Sequence, residues 1–152
     1  MRHMFRLFMT GVLLSAGLIA LSTPASAAVV VPPGQAGSAC SGYSRVTGHT
    51  EWYWQTCAWA DDDEVYFTVN LGNAGDVAWS VDTIWVDYTR SGTSITCAGG
   101  VWSNFVVPAH SVKSTPTATC AIPRRSAAYT SVGQVWESTY HVEQHSPVLQ
   151  VE

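Results

Sequence analysis

Seven tryptophans, Trp52, Trp54, Trp59, Trp79, Trp85, Trp102 and Trp136, are the residues of this chain with most chemistry to offer. Rigid aromatic rings stack on sugars and anchor protein interfaces, because they present a large apolar face with little conformational entropy to lose. Spacing groups several of them. If Gly48-His49 is a two-residue hairpin turn of the kind that opens on glycine, residues equidistant from it face each other. Trp54 then lies opposite Tyr43, and Trp52 opposite Arg45, so Tyr43, Arg45, Trp52 and Trp54 share one face of the hairpin. Cys40, Val46, Tyr53, Cys57 and Trp59 share the other. Two placements stay open. The Trp52 face is an exposed aromatic platform, or it is core, with Glu51 and Gln55 turned to water. Trp85 sits between Ile84 and Val86, and strand alternation sends it outward. The candidate ligand-binding residues are therefore Tyr43, Arg45, Trp52, Trp54 and Trp85.

Other chemistry is less organised. The chain has no Gly-x-Ser-x-Gly elbow, no His-Glu-x-x-His and no phosphate-binding glycine loop. Asp82 and Asp87 are of the type a glycosidase pairs, but carboxylates on strand faces are ordinarily solvated. The expectation is no enzyme and no catalytic residue. Asp61-Asp62-Asp63-Glu64 clusters the hard oxygens that calcium takes, without the alternating spacing and glycine of a calcium loop. His141 and His145 have a spacing that suits a metal on a helix, but they fall in a strand and loop. No metal and no cofactor are expected.

The four cysteines allow three pairings. Sequential pairs, Cys40–Cys57 and Cys97–Cys120, are predicted. Cys40 and Cys57 are equidistant from the Gly48-His49 turn and fall at a non-hydrogen-bonded pair, where side chains come closest. The midpoint of Cys97 and Cys120 falls at Pro108-Ala109, a second turn signal, although the proline argues for a longer loop. Each bridge stabilises by ~3 kcal/mol in the chain-entropy model.

These residues need elements to hold them. Arg2 and Arg6, an uncharged apolar run from Leu7 to Leu21, and Ala25-Ser26-Ala27 read as a secretory signal peptide over residues 1–27. The expected product is secreted, extracellular, soluble rather than membrane-embedded, and monomeric. Five basic residues then stand against eleven acidic ones, a balance that argues against nucleic acid as a partner. Residues 28–39, with Pro32-Pro33-Gly34, read as a flexible lead-in. Residues 40–152 read as one domain of seven to nine short strands separated by turn residues. Val65, Phe67, Val69 and Leu71 alternate with polar residues, as do Ile84, Val86 and Tyr88, and these seven are the predicted core. Thr93–Cys97 and Val101–Val107 are two short strands or one bulged strand. Pro116 marks Val112–Ala121 as an edge strand. Strands at Ala127–Glu137 and Thr139–Glu143 follow, and Pro147 precedes a last one. The expected fold is an antiparallel β-sandwich with two disulfides.

Val65-Tyr66-Phe67-Thr68-Val69-Asn70-Leu71-Gly72-Asn73-Ala74-Gly75, with Val107-Pro108-Ala109-His110-Ser111 downstream, resembles bacterial immunoglobulin-like extracellular modules. There an alternating strand enters an Asn-x-Gly turn, and a later Pro-Ala-Gly-Ser-like turn leads into a Thr-rich strand. His110 stands here in place of that glycine. The signal peptide, tryptophan content and cysteines also resemble small secreted proteins of filamentous actinobacteria. The resemblance implies an immunoglobulin-like sandwich and an extracellular location, and no activity. Two functions are consistent with the whole: a non-catalytic module binding a polysaccharide or other envelope polymer through Trp and Tyr, or a protein-binding module such as an inhibitor of an extracellular enzyme or an adhesion component.

Overall fold

The computed structural model describes residues 27–152; the signal-peptide prediction lies almost wholly outside them. Twelve strands run in order: β1 (Val29–Val31), β2 (Gly37–Cys40), β3 (Ser44–Arg45), β4 (Trp52–Ala60), β5 (Glu64–Asn73), β6 (Trp79–Arg90), β7 (Thr93–Val107), β8 (Ser111–Ser114), β9 (Ala121–Pro123), β10 (Ala127–Glu137), β11 (Tyr140–His145) and β12 (Leu149–Val151). The count exceeds the expected seven to nine because two long strands have broken neighbours. β2 and β3 both pair with β4, and β8 and β9 both pair with β5. Among the described residues the one helical element is a 3-10 turn at Thr117–Thr119, where Pro116 ends β8 pairing.

The strands form two sheets. The first has the order β1-β12-β10-β6-β7, with β11 also on β10; the second is β2-β4-β5-β8, with β3 and β9 at its margins. The chain crosses between sheets from β1 to β2, back from β5 to β6, again from β7 to β8, and finally from β9 to β10. β1 pairs parallel with β12, and every other pairing is antiparallel. Residues 28–39, expected to be a lead-in, therefore contain one strand and most of another. The apolar Val29-Val30-Val31 run supplies an edge that β12 can use.

The core lies between the sheets. Val65, Phe67, Val69, Leu71, Ile84, Val86 and Tyr88 are all buried there, as alternation requires. Phe67 stacks on Tyr88 at 4.3 Å and meets Tyr129 at 6.0 Å. Between the sheets, Gly133 of β10 faces Val69 and Thr56, and the Thr56 and Ser131 hydroxyls bond across the gap at 2.8 Å. Both residues are fully buried, so both hydroxyls need partners; Thr56 Oγ1 also donates to the Thr68 carbonyl at 3.2 Å.

Both disulfides are present, Cys40–Cys57 and Cys97–Cys120. Cys40 lies directly opposite Cys57 in the β2–β4 ladder. The second bridge has a different geometry from that expected. Cys97 is on β7 of the first sheet, and Cys120 ends the 3-10 turn beside β5 of the second, bonding the Phe67 N–H, so the bridge joins the sheets instead of closing a hairpin. Two disulfides point to folding in an oxidising compartment. Among the described residues, no helix is long and apolar enough to cross a membrane.

Arg124 fastens the β1 end. Its guanidinium donates to the carbonyls of Gln35 at 2.8 Å, Pro32 at 2.6 Å, Val31 at 3.3 Å and Asp61. A planar five-donor group is the side chain able to serve four diverging carbonyls at once.

Candidate functional site on the outer face of the first sheet

The centre of the first sheet is β6 between β10 and β7. Ile84, Val86, Gly133 and Val135 point into the core, so their neighbours Trp85, Gln134 and Trp136 point out. Register fixes who stands beside whom. Trp85 is opposite Gln134 on β10 and Val101 on β7; Gln134 is opposite Glu143 on β11; Trp136 is opposite Thr83 and His141. Trp85 and Trp136 are thus diagonal neighbours on one outer face, a relation that places Cβ atoms about 7–8 Å apart. Each indole is 42 % exposed.

Polar groups frame the two rings. His141 stacks on Trp136 with centroids 3.6 Å apart, which fixes the indole. Gln134 donates to Glu143 at 2.9 Å, and His145 meets Glu143 at 2.8 Å. Beyond Gln134 a shallow groove of about 230 Å³ is edged by Asp87, Thr96, Gln134, Glu143 and His145. Flat apolar faces rimmed by hydrogen-bonding side chains suit a ligand that is itself apolar on its faces and hydroxylated at its edges.

At the end of this face the β10–β11 turn meets the β3–β4 loop, enclosing a cleft of about 450 Å³. Thr47, His49, Glu137, Ser138, Thr139 and Tyr140 line it, with His141 shared between cleft and platform. A ladder of rings forms its inner support: His49 stacks on Trp52 at 3.6 Å, and Trp52 on Trp79 at 5.1 Å. Trp79 donates its indole N–H to Glu137 Oε2 at 3.1 Å, and Trp54 donates to the Tyr140 hydroxyl at 3.0 Å. Ser138 takes a left-handed φ of 52° in the turn, and its N–H is held by Asp82 at 2.7 Å.

The five sequence candidates fall in three places. Trp85 is on the outer face described above. Trp54 is fully buried and Trp52 half-buried, so the Trp52–Trp54 face is core and not an exposed platform. The Thr56–Ser131 bond shows why: Thr56 has the same parity on β4 and points at the other sheet. Tyr43 and Arg45 do not join them. Register is as expected at Cys40–Cys57, but Ser44 is opposite Trp54 and Arg45 opposite Tyr53, a slip of one residue. One residue of slip reverses the face. The turn is also longer than two residues, since Val46 N–H bonds the Trp52 carbonyl and His49 N–H the Val46 carbonyl. Tyr43 is exposed and packs edge-on against Tyr53 at 5.2 Å, with Arg45 beside them on the outer face of the second sheet.

Sequence reasoning did not nominate Trp136 or Trp59. Trp136 alternates with buried Val135, a signal that was available once the phase of β10 was known. Trp59 is 41 % exposed on the second sheet, paired across strands with Tyr66 and held by its N–H bond to Thr68 Oγ1 at 3.1 Å.

The acidic run serves the β4–β5 turn. Asp61 accepts the N–H groups of Asp63 at 2.9 Å and Glu64 at 2.8 Å, and the Tyr66 hydroxyl. The Tyr66 bond first, then the two backbone bonds, hold the Asp61 carboxyl below its ordinary range. Glu51 is also lowered, chiefly by its own backbone N–H. Among the described residues, no group of three or more His, Cys, Asp or Glu is placed to hold a metal ion. No family model matches this chain, and no curated protein or solved structure matches it either.

Proposed function

We propose that this protein is a secreted, non-catalytic binding module that holds a polysaccharide on the outer face of its first sheet. The observation that carries the reading is the Trp85–Trp136 pair, two indoles equally exposed, side by side on one strand face and flanked by Gln134 and Glu143. Large exposed apolar rings are costly unless a partner covers them. The strand order and the parallel β1–β12 pairing are consistent with an immunoglobulin-like module, the fold that the sequence resemblance implies.

Depletion of the protein from solution by insoluble polysaccharides is the test. Trp85→Ala and Trp136→Ala are each expected to weaken binding about tenfold, equivalent to ~1.4 kcal/mol, with unchanged thermal melting. Retention of full binding by the double variant, or failure of any neutral or amino-sugar polymer to bind the unaltered protein, defeats the proposal.

A protein partner is the second reading, and β7 favours it. Among the described residues this strand of fifteen residues has β6 as its one strand partner, which offers its other edge to strand addition, although Lys113 Nζ already bonds the Val106 carbonyl at 2.9 Å.

A further inference from the structure

We propose that the cleft at the end of the Trp85–Trp136 face is a subsite for a sugar unit bearing a free amine, with Glu137 as the group that takes the ammonium. The inference rests on the polysaccharide reading and specifies which unit the site selects.

Three observations lead there. The first is continuity. His141 lies against Trp136 and also lines the cleft, so the outer face and the cleft meet at this residue. The second is size, because about 450 Å³ is within the range of small-molecule sites. The third is charge. Among the residues lining the cleft there is no Lys or Arg, and Glu137 has no basic partner there. The other carboxylates nearby are engaged. Glu51 faces His49 at 3.5 Å, and Asp82 caps the Ser138 N–H. Glu143, on the platform, is bonded to Gln134 and His145. Among the described residues Glu137 has a single side-chain bond, from the Trp79 indole to Oε2, which fixes the carboxylate and leaves Oε1 for a ligand.

The imidazoles of the cleft do not compete for Glu137. His49 is directed to Glu51 and stacked on Trp52, and His141 is stacked on Trp136. Thr47, Ser138 and Thr139 supply hydroxyls for the sugar's own hydroxyls. An ammonium against a fixed, half-buried carboxylate is an ion pair with charge on both partners, whereas an acetamide N–H in the same place brings no charge of its own. The protein's acidic balance, 11 Asp and Glu against 7 Lys and Arg over the whole chain, draws a cationic polymer toward the surface as well.

The experiment compares a glucosamine hexamer with its fully N-acetylated counterpart by calorimetry at pH 6, where the sugar amine is charged. The unaltered protein is expected to bind the amine form at least tenfold more tightly. Glu137→Gln keeps an oxygen for the Trp79 N–H and is expected to erase that preference, chiefly by weakening the amine form. Trp85→Ala is expected to weaken both hexamers equally. Binding of both hexamers without preference, or a preference that survives Glu137→Gln, overturns the subsite and leaves the platform intact. Binding of neither hexamer, with no effect of Trp85→Ala on any polymer, overturns both.

Discussion

Replacing Arg124 with alanine tests how the first strand is held. The side chain is half-buried and makes four hydrogen bonds to carbonyls of Val31, Pro32, Gln35 and Asp61. Bonds to a charged group contribute about 1.5–3 kcal/mol each when buried. Here water can reach the outer carbonyls once the guanidinium is gone, so the expected total is about 2–4 kcal/mol and not the sum of four. In urea unfolding this is a midpoint shift of about 1–2 M for a domain of this size. Arg124→Lys keeps the charge but presents it at one point, and less than half the loss is expected to return. Arg125, exposed and next in sequence, is the control, with an expected effect within about 0.5 kcal/mol. Hydrogen exchange gives the local readout: the Glu152 N–H, bonded to the Val31 carbonyl at 3.0 Å, should exchange faster in Arg124→Ala. Equal midpoints for the two alanine variants, or full rescue by lysine, would refute the idea that fork geometry holds β1.

Two further outcomes follow from the packing and the acidic turn. Gly133→Ala places a methyl 2.7 Å from Val69 Cγ2 and 2.9 Å from Thr56, and should cost about 1–3 kcal/mol and lower the melting temperature by several degrees; an unchanged melt means that the sheets sit further apart at this point. Asp61 is held below the ordinary aspartate range, so its contribution is present above that range and is lost as pH falls through the depressed value; Asp61→Asn should flatten the acid limb of the stability profile, and an unaltered limb would show that the Tyr66 and backbone bonds do not favour the charged form.

The parts of the fold legible in the sequence are those fixed by local pattern. Val65 to Leu71 alternates cleanly and is buried on one side, because a strand's period of two is written in adjacent residues. Distance from a turn sets Cys40 opposite Cys57, and the two do face each other although the turn itself is longer. Closer to the turn, an extra residue between Cys40 and Ser44 slips the register and moves Tyr43 and Arg45 to the other face. A bulge on an edge strand leaves no mark in periodicity. Cys97 and Cys120 do pair, but not across a hairpin: Cys97 is on β7 of one sheet and Cys120 lies outside any strand, at the end of the 3-10 turn. Trp136 went unnamed because the inward side of β10 is decided at Gly133, where β4 and β5 come close, and that contact is between elements distant in sequence.

The parallel pairing of β1 with β12 has a mechanical consequence. Pulling residue 29 away from residue 151 draws the two strands past each other lengthwise. The bonds between them, including Val29 N–H to the Val148 carbonyl at 2.8 Å, then bear the load together instead of opening one by one like a zipper. A protein gripped by a polymer on its sheet face and tugged through its chain ends would yield by simultaneous rupture, at a higher force than the same number of bonds loaded in sequence.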